Sequence, residues 1–339
     1  MPARLPQRSR GRLPQGKVPN MTSDASTASP PGLFRRAKVN AVDERTFILK
    51  LCVAYALWAL GVALALSTGL WPLRVLGVVL IGAMYAHWLE LQHQCLHHSA
   101  FRRARWHRIA GLPLGVPMLV SYSHYRVLHL QHHRYLGTDQ DSEFFGFDSR
   151  QPVTWRALVR EALAFGRLGG AIADIARAWT GSWTYDSGQI APARKREVVA
   201  EYRLFVLPIL AAVALAVLGQ GELVLWVWLL PLLVAVPLHF LVELPEHIMC
   251  DNSSTDVLAN TRSITGSWFS TWYTNGNNLH IEHHAAMVVP INQLRERHDL
   301  TLSYAKHTSP SYPQFFRAIA KEAAANGRRA RAQDGARAE

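Results

Sequence analysis

The chain has 339 residues, 49% of them apolar, and its 36 Lys and Arg outnumber 24 Asp and Glu for a net charge of +12. Its mean hydropathy of +0.02 looks soluble on average, but that average conceals long apolar runs separated by strongly basic segments. Cysteine is limited to Cys52, Cys95 and Cys250 with no C-x-x-C pair, which argues against a disulfide framework, a zinc ribbon or a fused rubredoxin or iron–sulfur module.

Residues 1–40 are rich in Pro, Arg, Ser and Gly, with Asp24 as the one acid. No apolar stretch of signal-peptide type follows, and the prolines oppose an amphipathic targeting helix, so a disordered basic tail is expected. Met21 opens a segment that reads as a second translation start. A membrane domain is expected over 41–320, and a second disordered tail over 321–339, where the chain becomes rich in Ala and Arg.

Four apolar runs are expected to span a bilayer, at about 47–70, 73–91, 204–218 and 223–242. The links between the first two and between the last two are too short for anything but antiparallel neighbours, giving two hairpins. Lys and Arg number 10 in residues 1–50, 1 in 51–100, 15 in 101–203, none in 204–242 and 10 thereafter. The positive-inside rule therefore puts both termini and the middle segment on the cytoplasmic side. The basic excess is thus read as membrane orientation, with no nucleic-acid partner.

Between the hairpins, residues 111–120 are apolar but short and contain Pro113 and Pro117, so an interfacial or re-entrant piece is expected. Apolar residues from Trp155 to Trp179 recur at helical spacing and predict an amphipathic helix on the membrane surface.

Nine of the 16 histidines fall in three strings. The first, H-Q-C-L-H-H, offers His93 with His97, or with His98 in its place. The second offers His129, His132 and His133; the third, H-I-E-H-H, offers His280, His283 and His284. On a helix each set projects from one face, which is how a helix grips a metal. Imidazole suits Fe, Zn, Cu and Ni, and ligand type alone does not choose among them. Eight histidines exceed the needs of one zinc ion, so two metals are the economical reading. Asp139, Asp141 and Glu282 are candidate acceptors for the imidazole N–H groups. His87, His107, His124, His239, His298 and His307 lack partners at metal-binding spacing.

These strings resemble the membrane fatty acid desaturase family, whose signature is HxxxH, HxxHH and HxxHH arranged around two transmembrane hairpins. The resemblance runs from about Tyr85 to Leu300 and includes G-T-D-Q-D at Gly137 to Asp141, Glu246-His247 with Cys250, Asn260-Thr261-Arg262, and Pro290 after the last box. It departs at Gln94, where the family usually has an acid, so that orientation of His93 is expected to rest on Glu90; it departs also at Met287, where a proline is common. The resemblance implies an all-α integral membrane fold: four transmembrane helices in two hairpins, with a cytoplasmic helical cap holding a histidine-rich dimetal site. It also implies two Fe, O2 as co-substrate, an acyl or other long hydrocarbon substrate, and desaturation of an acyl chain. Electrons are expected from an external ferredoxin, rubredoxin or cytochrome b5-like donor. His247 is expected as a ninth ligand, with Glu243 one turn earlier reaching a metal through water or holding His247 in place. A diiron hydroxylase or monooxygenase on a lipid, alkane or carotenoid-like substrate is the alternative, and a non-enzymatic membrane metal carrier the remote one. The strings leave substrate, position of oxidation and oligomeric state open.

Overall fold

The computed structural model describes residues 32–67, 69–142 and 149–338, so most of the expected N-terminal tail, including Met21, lies outside the described residues. The first helix, α1 (Ala41–Ala65), starts where Asn40 accepts hydrogen bonds from the amides of Val42 and Asp43 while Asp43 accepts one from Asn40. Buried Asp43 also accepts from the Asn292 and Gln293 amides, tying this end to the far end of the chain.

α2 (Trp71–Leu96) begins with Pro72 in its first turn and is almost wholly buried from Ile81 onward. Two glycines set this position. At Gly77 the backbones of α1 and α2 touch at Ala65 and Gly61, and a Cβ at Gly82 would lie 2.6 Å from the Pro231 carbonyl oxygen. α2 runs on past the expected end at residue 91 and so carries His93 within the helix itself. It stops at His98, whose φ of 56° breaks the helical turn.

The apolar stretch at 111–120 falls on the end of α3 (Ala104–Gly115) and a 3-10 turn at Val116–Met118, a helix of 12 residues and so too short to span a bilayer. α4 (Tyr122–Tyr135) is capped by Ser121, whose hydroxyl accepts from the His124 amide. The amphipathic segment is two helices, α5 (Trp155–Ala162) and α6 (Gly166–Thr180), because the chain turns at Leu163 to Phe165. Trp155, Val159, Ile172 and Trp179 are exposed along them. α7 (Pro192–Leu204) is the charged half of a long rod whose apolar half is α8 (Val206–Val217). α7 also carries buried Glu201, which accepts from the Ser121 and Ser123 hydroxyls, the Ser123 amide and Arg108. That one carboxylate fixes α3, α4 and α7 together. The short helix α9 (Gly221–Val224), a π turn at Leu225–Leu229 and α10 (Leu230–Glu243) form the last apolar rod.

Among the described residues, four helices are long and apolar enough to cross a membrane: Ala41–Ala65, Trp71–Leu96, Pro192–Val217 and Gly221–Glu243. After them come α11 (Val257–Asn260), β1 (Ser263–Ile264), α12 (Trp268–Tyr273), α13 (His280–Ala285), α14 (Arg295–Leu302), β2 (Thr308–Ser309) and α15 (Tyr312–Ala338), with β1 and β2 parallel. α15 is continuous, so the segment expected to be a disordered tail from residue 321 is helical to Ala338. Its Ala, Arg, Lys and Glu are strong helix formers, and Phe315, Ile319 and Ala323 anchor it on Phe240 and Leu158.

Candidate metal centre

Nine histidines converge in two groups. His93, His97, His129, His133 and His283 form one, and His132, His247, His280 and His284 the other; the ligand atoms within each lie within 4.8 Å of one another. The split follows from helix geometry. Residues turn by about 100° each, so i and i+4 sit about 40° apart while i+3 points about 60° to the other side of i. In α4, His129 and His133 share the first group and His132 turns to the second. In α13, His280 and His284 share the second and His283 turns to the first. The HxxHH boxes are therefore complementary halves of one two-centre site. The groups abut, with the His133 and His284 rings stacked at 4.0 Å.

Within the groups, nitrogens face one another. The Nε2 atoms of His93 and His283 are 3.0 Å apart, His97 and His129 2.9 Å, His129 and His133 3.0 Å, and His247 and His280 3.1 Å. Metal–nitrogen bonds of about 2.0–2.1 Å at right angles put neighbouring nitrogens about 2.9 Å apart, whereas tetrahedral angles put them about 3.3 Å apart. The close pairs are thus spaced as two ligands of one ion would be, without choosing its geometry or identity. Burial, reinforced by neighbouring imidazoles, holds His97, His129, His133, His280, His283 and His284 well below the usual histidine range, and burial takes His247 down to about 3. They are therefore neutral, the form that offers a lone pair to a metal.

The groups differ in how their rings are held, except that His284 of the second, like the first group, has no hydrogen-bond partner at Nδ1 among the described residues. In the second, Nδ1 of His132 meets Asp141 at 2.6 Å, Nδ1 of His247 the Asn260 carbonyl at 3.0 Å, and Nδ1 of His280 the Asn277 side-chain oxygen at 3.1 Å. These contacts select the tautomer that leaves Nε2 facing the group. In the first, Nδ1 of His93, His97, His129, His133 and His283 has no hydrogen-bond partner among the described residues.

Several expectations change. His98 does not join either group: it is exposed and stacks on His107 at 4.6 Å, because the helix ends beneath it. Asp139 is fully exposed beside Arg150, away from any imidazole of the site. Glu282 accepts from Ser263 at 2.5 Å and from His298 at 2.6 Å, so it props α13 from behind. Glu243 lies 3.5 Å from His239, in a third group that Glu90 completes 3.7 Å from the same ring nitrogen, while the two ring nitrogens of His247 face the Asn260 carbonyl and His280. The spacing of His239 and Glu243 at i and i+4 was visible in the sequence, as was the position of Glu90 one turn before His93. Glu90 makes no hydrogen bond to His93 among the described residues; beside the first box, Gln94 bridges the Ser99 carbonyl and the Asn275 amide and so ties α2 to the turn before α13. That turn, Asn275-Gly276, takes φ of 51° and 84°.

A family model for fatty acid desaturase matches residues 69–316. The chain is 40% identical over 76 residues to a sphingolipid delta(4)-desaturase DES1 of Gallus gallus, covering 20% of this chain and 23% of that protein. It is 27% identical over 148 residues to an omega-6 fatty acid desaturase (endoplasmic reticulum isozyme 1) of Glycine max, covering 42% and 37%. An oleoyl-12-hydroxylase of Ricinus communis is 25% identical over 152 residues, covering 42% and 38%. The matched stretches thus span about a quarter to two fifths of these relatives.

Proposed function

The chain belongs to the fatty acid desaturase family, and from that premise we propose that it is an O2-dependent, non-haem diiron oxidoreductase that introduces a double bond into an acyl chain. The observation that carries this reading is the division of nine buried or half-buried histidines into groups of five and four. Overall, two hydrogens leave adjacent carbons as the double bond forms, and O2, two further protons and two electrons from an external donor become two waters.

When bound, the iron pair supplies the power to reduce O2 and to take hydrogen from an unactivated C–H bond. The chain's own part is to position and shield. The histidines hold the metals, Asp141 and the Asn260 carbonyl fix His132 and His247, and burial keeps bulk water from the rings. A mainly apolar cavity of about 270 Å³, lined by Leu119, Leu128, Leu168 and Val236 among others and by His239, offers room for hydrocarbon. The electron donor is a separate ferredoxin, rubredoxin or cytochrome b5-like protein, and the four apolar helices seat the site at the cytoplasmic face of a membrane with both termini on that side.

Hydroxylation on the same scaffold is the second reading, favoured by the likeness to the oleoyl-12-hydroxylase. Expression in a host fed labelled fatty acids, with product analysis by mass spectrometry, decides between them: an alkene two mass units lighter marks desaturation, and an alcohol sixteen units heavier marks hydroxylation, by the masses of the hydrogens lost or the oxygen gained. Zinc as the sole metal of gently purified, active protein would sink the diiron assignment.

A further inference from the structure

A concavity of about 750 Å³ opens between α3, α4 and α7, away from the histidine groups, and Arg105, Arg108, Arg126 and Arg194 line it. Two of these charges are answered locally: Arg108 meets Glu201 at 2.9 Å and Arg194 meets Glu197 at 2.7 Å. The other two are not. Arg126 gives its Nε–H to the Leu96 carbonyl at 2.8 Å, and Arg105 lies over the Trp106 ring at 5.3 Å; neither has a carboxylate within ion-pair reach among the described residues. The rest of the lining includes an apolar strip made by Ile109, Leu112 and Leu204, with Ile109 and Leu204 exposed. Leu204 is the residue at which charged α7 gives way to apolar α8, so the concavity straddles the level at which that rod would enter a bilayer.

We propose that this concavity binds the phosphate headgroup of an anionic phospholipid, with Arg105 and Arg126 on the phosphate oxygens and the first acyl carbons along Ile109, Leu112 and Leu204. Guanidinium groups recognise phosphate by paired N–H donors, and clustered basic residues beside a membrane span are the usual receptor for anionic headgroups. A soluble anion would use the arginines but leave the apolar strip exposed; a lipid uses both. The site also touches the metal centre through its frame: Arg126 precedes His129 on α4, and the Leu96 carbonyl it holds precedes His97. The inference rests on membrane placement of the helices and is independent of the reaction catalysed.

The test is lipid retention by the purified full-length, iron-loaded protein, read by native mass spectrometry from vesicles of equal phosphatidylglycerol and phosphatidylcholine. Phosphatidylglycerol is expected to be retained at least about tenfold over phosphatidylcholine, and the double variant Arg105→Gln, Arg126→Gln to lose that preference, whereas Arg156→Gln, Arg160→Gln, with the same charge loss on α5, keeps it. Ile109→Glu, which puts a carboxylate into the apolar strip, should lose it as well, and the iron content of each variant reports that the fold is intact. Equal retention of the two lipids, or equal loss in the α5 variant, overturns the proposal. So does displacement of the lipid by inorganic phosphate alone at matched concentration, which would mark a soluble-anion site, or loss in the double variant of an acidic protein partner with lipid retention unchanged.

Discussion

His133 and His283 belong to the group of five, each on a different helix, and replacing either with Ala removes a ligand that no neighbour replaces. Iron content and turnover should both collapse, as measured by metal analysis and product formation. Asp141→Asn leaves all nine imidazoles in place but removes the anion that fixes the His132 tautomer; metal affinity of the second group should fall about 10- to 100-fold, read by chelator competition. Glu243→Gln should leave iron content unchanged, since the Asn260 carbonyl rather than Glu243 holds His247. His107 behaves differently from a bland histidine. Its Nε2 accepts from the amides of Ala100 and Phe101, and its Nδ1–H donates to the Ala104 carbonyl. His107→Ala therefore leaves two buried donors unsatisfied, on the order of 1–3 kcal/mol each, and should lower the melting temperature while the iron ligands remain. Burial takes His107 down to about 4 from an ordinary value of 6.5. Its contribution is full above about pH 6.5 and is lost as the pH falls toward 4, because the unfolded chain takes up the proton first. Thermal melts of wild type and His107→Ala should thus converge as the pH falls across that window.

At the scale of elements, α2 is the post against which α1, α3 and α10 are set. Gly82 lets α10 approach so closely that a Cβ would lie 2.6 Å from both the Pro231 carbonyl oxygen and Val234 Cβ. Gly82→Leu should push α10 outward and shift the segment that delivers His247, so iron bound by the second group should fall before that of the first, as followed by metal content per chain. The elements were largely legible in advance. Apolar runs gave the four rods, and histidine spacing gave the helices α4 and α13. Their limits were less so, because composition marks where a helix leaves lipid and not where it stops: α2 continues to Leu96, and α7 joins α8 into one rod. Which carboxylate serves which ring was not legible either. Asp139 and Asp141 are alike in the chain, and only the turn at Gly137, with φ of 74°, aims Asp141 at His132 and leaves Asp139 outside. Buried contacts between distant segments, such as Gln94 with Asn275, leave no local pattern.

For the whole molecule, the placement of charge and apolar surface predicts that cysteine labels at Ser309 and Gln220 report from opposite sides of the membrane, with Ser309 cytoplasmic, once exposed Cys52 has been replaced. Labelling of Gln220 from the cytoplasm would break the topology. The interleaving of the two groups also bears on synthesis. Four of five ligands of the first group are translated by His133, yet the fifth is His283; the second group has only His132 before residue 247. On the proposed diiron reading, neither centre closes during translation until nearly the whole chain has left the ribosome, and the four rods enter the bilayer before iron can be held. Metal delivery thus becomes a late maturation step, and chains stalled at Thr274 should be inserted in the membrane but empty of the second iron.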